Sequence, residues 1–131
     1  MKNILLIWVW SVMILFAGEL HWEKDLTTAF ERAKQEHKVV MVMVESEHCR
    51  WCKKMKHRTL SDDTVSKRLE NYILVKVLQE DPEAIKHLPV IKGAPTIFFM
   101  TAQKQEIMTA LGYYNVFDFT SYLNDVDKKV K

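Results

Sequence analysis

Two cysteines, Cys49 and Cys52, enclose Arg50-Trp51 just downstream of the apolar run Val39-Val40-Met41-Val42-Met43-Val44, and this junction constrains the fold more than any other stretch. They are the only cysteines in the chain, so an internal disulfide must join them across a four-residue loop. So small a loop removes little entropy from the unfolded chain, which makes the bridge a poor staple and one suited to opening and closing. The apolar run reads as a strand and the residues after it as a helix. Cys49 therefore sits at a strand-to-helix junction, where the positive end of a helix dipole favours a thiolate.

The chain has 131 residues, enough for one domain with a real core. A net charge of +2 is too small to argue for a nucleic-acid partner. The opening does not belong to the domain. A basic start, Met1-Lys2-Asn3, precedes an apolar run from Ile4 to Gly18 broken only by Ser11. That pattern predicts an export signal over residues 1–18, and the run is short of the ~20 apolar residues of a spanning helix. The cleavage pattern is weak, because cleavage after Ala17 puts Leu15 where a small residue is wanted. Retention as a membrane anchor through residues 4–18 is the alternative. The domain proper is expected over residues 19–131. Export would place both thiols in a compartment where disulfides persist.

Asp25 is expected to cap a helix reaching about His37, with Leu26, Ala29, Phe30 and Ala33 on one stripe. Val39–Val44 shows no alternation, as in a strand covered on both faces. A helix over Arg50 to about Leu60, a short one capped by Ser61, and a strand over Tyr72–Val77 follow. Asp81-Pro82 opens a brief helix. Strands at Thr96–Met100 and Ile107–Leu111 make a hairpin, and Asn115 caps the last helix. The sum is an α/β fold, one sheet with helices on both faces.

This layout with its Cys-x-x-Cys site resembles the thioredoxin family over roughly Trp22 to Val130. A second marker is Val90-Ile91-Lys92-Gly93-Ala94-Pro95-Thr96, similar to the family's cis-proline segment and 43 residues from Cys52 to Pro95. Gly112-Tyr113 matches the glycine before the family's final helix. The Cys-x-Trp-Cys-Lys-Lys site resembles that of exported, periplasmic-type members. The resemblance implies a thioredoxin-like mixed sheet and an exported thiol–disulfide oxidoreductase that reduces or isomerises protein disulfides. It implies no cofactor beyond the redox-active Cys49–Cys52 pair. Its partners would be disulfide-containing exported proteins and a membrane thiol–disulfide electron donor. The chain departs from the family in having His48 where Trp is usual and Arg50-Trp51 where Gly-Pro is usual. It also has Met43 in place of a buried acid, although the acid's Lys partner is matched by Lys76.

Only a thiolate attacks a disulfide, so Cys49 is expected to be the nucleophile and Cys52 the shielded resolving thiol. Positions three apart share a helix face, which brings the two together. Substrate contact is expected from Trp51 as an exposed shelf, from the Ala94 backbone beside a cis-Pro95, and from Tyr113. His48, Arg50, Glu45 and Lys76 are the residues expected to modulate the pair, with Glu45 as a proton acceptor for Cys52. A rival reading is a copper or zinc module joining the cysteines to His48 or His57, although the paired ligand spacing of structural zinc is missing. A third is an interaction domain with an idle cysteine pair.

Overall fold

The structure, a computed structural model, describes residues 19–131. The expected export signal over residues 1–18 lies outside the described residues. Among those described, no helix is long and apolar enough to cross a membrane.

The elements run β1 (Trp22–Glu23), α1 (Leu26–Glu36), β2 (Val39–Glu45), α2 (Arg50–Lys54), a π-helical segment (Met55–Leu60), α3 (Asp63–Leu69), β3 (Tyr72–Leu78), α4 (Pro82–Ile85), β4 (Thr96–Met100), β5 (Glu106–Leu111) and α5 (Val116–Lys129). The strands form one sheet in the order β1-β3-β2-β4-β5. β2 and β3 are parallel, β2 and β4 antiparallel, and β4 and β5 form the hairpin.

β2 lies at the centre, and its sequence explains why. Met41 and Met43 point into one buried cluster with Leu60, Phe99 and Phe119, while Val40, Val42 and Val44 point into another with Phe30 and Ile73. Strand side chains alternate between faces, so a run apolar at every position suits a strand covered on both. α2, the π-helical segment, α3 and α5 cover the first face, and α1 covers the second.

The expected caps at Asp25, Asp81 and Asn115 are present, each side chain accepting from a backbone N–H in its helix's first turn. Two local expectations change. The α3 cap is Asp62, whose carboxylate accepts from Thr64 and Val65, while Ser61 donates to the His57 carbonyl. The long helix after the cysteines gives way at Met55 to the wider π turn, within which Met55, Thr59 and Leu60 are buried. The two-residue strand β1, ahead of the first expected element, pairs with β3.

α5 is fixed to the sheet by polar contacts at its far end. Tyr72 donates to Asp127 at 2.5 Å, and Arg68 reaches the other oxygen of that carboxylate at 2.8 Å. Closer to the core, Phe99 lies 5.7 Å from Tyr72, 6.3 Å from Phe119 and 5.8 Å from Tyr122, measured between ring centroids. This clamp holds α5 beside the π-helical segment, where Thr59 donates to the Tyr114 carbonyl at 2.6 Å.

Candidate active site

β2 ends at Glu45, and four residues later the chain enters α2 at Cys49, its N-cap. The intervening turn is tight enough that His48 adopts φ 58°, in the left-handed region. Cys49 and Cys52 form a disulfide with their Cα atoms 5.2 Å apart. Their environments differ. Cys49 is half-buried, whereas Cys52 is 2% exposed and belongs to the apolar cluster that contains Met43, Met55 and Phe119. The Cys52 N–H donates to the Cys49 sulfur at 3.1 Å. An N–H aimed at that sulfur from a helix's first turn favours negative charge on it once the disulfide opens.

Opposite the cysteines runs the segment before β4. The Ala94–Pro95 peptide is cis. Thr96 donates from its hydroxyl to the Gly93 carbonyl at 2.5 Å, which ties this turn to the strand. The Gly112 N–H donates to the Pro95 carbonyl at 2.8 Å and joins the turn to the end of β5. Gly112 has φ 89°, a conformation side-chain-bearing residues rarely adopt. Trp51, Ala94, Pro95, Gly112 and Tyr113 together line an open groove of about 380 Å³ beside the disulfide. Trp51 is 48% exposed, and its ring centroid stands 5.6 Å from that of Tyr113.

The remaining expected site residues divide. Arg50 and His48 are exposed beside Cys49. Glu45, the expected proton acceptor, has a side chain that is 14% exposed and pairs with Lys56 at 2.5 Å. Lys76 is not drawn to the disulfide. Its ammonium lies 4.9 Å over the Trp22 ring at the β1 edge. The reason is visible in the register, since its neighbour on β2 is the apolar Met43, which offers no carboxylate. Tyr114 turns into the interior, 5.6 Å from Tyr122. Lys54 belongs to the basic run from Lys53 to Arg58, which reads from the sequence as a solvated helix face, yet its ammonium sits 4.6 Å from the Trp51 ring and 4.8 Å from that of Tyr113. The signal available was only a lysine three positions after an aromatic on one helix. Among the described residues, no three of His, Cys, Asp and Glu gather as a metal cage.

Residues 26–127 match the family model of the thioredoxin-like domain. The thiol:disulfide interchange protein DsbD of Escherichia coli strain K12 is 32% identical over 108 residues, covering 77% of this chain and 19% of that protein. The chain thus spans about a fifth of the length of the curated relatives it matches. Among solved structures, a thioredoxin from Thermus thermophilus aligns with a TM-score of 0.69 and 29% identity, over 82% of this chain and 86% of that one. The oxidised C-terminal domain of DsbD from Neisseria meningitidis shares the fold at a TM-score of 0.61 and 20% identity, over 75% of this chain and 89% of that one.

Proposed function

Because the chain belongs to the thioredoxin-like family, we propose that it is a thiol–disulfide oxidoreductase working through Cys49 and Cys52, with its domain over residues 19–131. The observation that carries this reading is the asymmetry of the pair. Cys49 is only partly buried and its sulfur is faced by a backbone N–H, whereas Cys52 is sealed in the core three residues away. A structural staple needs no such difference, whereas sequential exchange requires one sulfur that partners reach and one that they do not.

The chemistry runs in two displacements from the reduced form. The Cys49 thiolate attacks one sulfur of a partner disulfide, forming a mixed disulfide and releasing the partner's other sulfur as a thiolate. Cys52 then loses its proton and attacks the Cys49 sulfur, which closes the intramolecular disulfide and frees the second partner thiol. Two electrons pass to the partner, and a dithiol donor must return them. The groove at Ala94 and Pro95 supports docking of an extended partner segment, with Trp51 and Tyr113 as its apolar walls.

In this reading residues 1–18 export the chain, or tether it if retained, so that it meets disulfide-bearing proteins in a periplasmic compartment. A membrane thiol–disulfide donor recharges it there. The direction is reducing or isomerising. The relatives named for thiol:disulfide interchange support exchange chemistry at this pair.

Trapping tests it. A Cys52→Ala variant accumulates mixed disulfides through Cys49, and wild-type chain reduces insulin while Cys49→Ser does not. If Cys49 is reduced and open to alkylation, yet neither adducts nor reduction occur, the reading is wrong.

A further inference from the structure

We propose that Lys54, held between the rings of Trp51 and Tyr113, makes the groove selective for partner segments that carry a carboxylate next to the cysteine under attack. The inference rests on the oxidoreductase reading and names the partner class for the same site.

The Lys54 ammonium lies 4.6 Å from the Trp51 ring centroid and 4.8 Å from that of Tyr113, the two rings that line the groove. A cation on aromatic faces keeps its charge, and contact with two rings restricts a side chain that would otherwise sweep through water. It is therefore organised before a partner arrives, and less freedom is lost when an anion meets it.

Its surroundings carry the same sign. Arg50 and Lys53 are exposed on the same short helix, and from His48 to Ser61 the sequence contains no Asp or Glu. Other cations, such as Lys56, Arg68 and Lys86, have carboxylate partners. Among the described residues Arg50, Lys53 and Lys54 form no ion pair. Of the acids that precede this helix, Glu45 is committed to Lys56 and Glu47 is exposed on the preceding turn. A partner segment crossing the groove thus runs along two rings that carry a fixed cation, with two more cations on the same helix. Complementary charge of this kind sets which partners dock and how fast.

The test uses the reduced full chain and three symmetric peptide disulfides, identical except for Asp, Asn or Lys beside the cysteine. Rates of oxidation are read at about 10 mM and about 500 mM salt, each divided by the rate of dithiothreitol with the same peptide. That ratio removes the peptide's own reactivity. The Asp peptide is expected to react about tenfold faster than the Lys peptide at low salt and less than about twofold faster at high salt, where screening acts within about 3–4 Å. Lys54→Glu should cut or reverse the low-salt ratio, a change that a general shift in Cys49 reactivity does not produce. Equal normalised rates for all three peptides, or a ratio that survives Lys54→Glu, overturns the inference and leaves the oxidoreductase reading standing. A chain inert to every peptide with Cys49 open to alkylation overturns both.

Discussion

The Glu45 carboxylate and the Lys56 ammonium meet at 2.5 Å on the sheet face that buries Cys52. Glu45 follows Met43 by two on β2, so both point the same way, and Met43 belongs to the cluster around Cys52. Lys56 comes four residues after Cys52 along the helical stretch. The pair therefore lies on the side of β2 that holds Cys52, the residue whose proton Glu45 is proposed to accept. Glu45→Gln is expected to cost about 1 kcal/mol of stability by leaving Lys56 without its partner. It should also lengthen the life of the mixed disulfide on Cys49 more than it slows the first attack. Stopped-flow kinetics that separate the two displacements check this.

Trp51 lines the groove, and its substitution can separate partner contact from packing. With half its surface in water, Trp51→Ala should lower stability by less than about 1 kcal/mol in urea unfolding. Its exchange rate with folded protein disulfides should fall more than its rate with a small disulfide. Equal losses for both substrates would remove the shelf role.

Gly112 joins the two walls of the groove through its bond to the Pro95 carbonyl. A Cβ there meets nothing within 4 Å, so the cost of Gly112→Ala is conformational and not steric. The residue's φ of 89° makes that cost about 1–2 kcal/mol. Thermal unfolding measures it, and an unchanged midpoint would show that the turn readily adopts another shape.

Two tyrosines give an alkaline limit. Burial first, then the bond to Asp127, pushes the Tyr72 phenol well above its usual range. Burial first, then Tyr114, pushes Tyr122 up to about 12. In the unfolded chain both ionise near pH 10. Above that pH the unfolded state holds fewer protons than the native one, so stability falls as pH rises. The stabilisation is whole below about pH 10 and, for Tyr122, is lost by about pH 12, at a slope of at most about 1.4 kcal/mol per pH unit per group. Tyr72→Phe and Tyr122→Phe should each flatten that fall in denaturant titrations between pH 9 and 11. Tyr72→Phe additionally costs about 1–2 kcal/mol at pH 7 through the lost bond to Asp127.

Phe99 is the hub of the ring cluster on the α5 side and is fully buried. Phe99→Ala should cost about 3–5 kcal/mol, enough to threaten folding, whereas Phe117→Ala, on the exposed side of α5, should be nearly neutral. Chemical denaturation of both variants makes the comparison.

Where one-dimensional signals are strong, the sequence and the fold agree. The unbroken apolar run of β2 and the caps at Asp25, Asp81 and Asn115 could be read from local residues, whereas Pro95 was singled out only through the family resemblance. β1 could not, because two residues have no periodicity and pair only once β3 is in place. The choice of Asp62 over Ser61 as a cap turned on a single position between two competent side chains. The placements of Lys76 and Lys54 could not be read for one reason: each lies against a ring distant in sequence, Trp22 in one case and Tyr113 in the other. Such pairings are created by the fold and leave no local trace.

The burial of Cys52 also bears on damage. Peroxide and similar oxidants meet the Cys49 sulfur first, because its neighbour is packed among Met43, Met55 and Phe119. A sulfenic acid formed on Cys49 then lies within reach of an intact thiol, which can condense with it, expel water and restore the bridge before irreversible steps follow. The shielded sulfur thus serves as a repair reserve for the one that takes the hits.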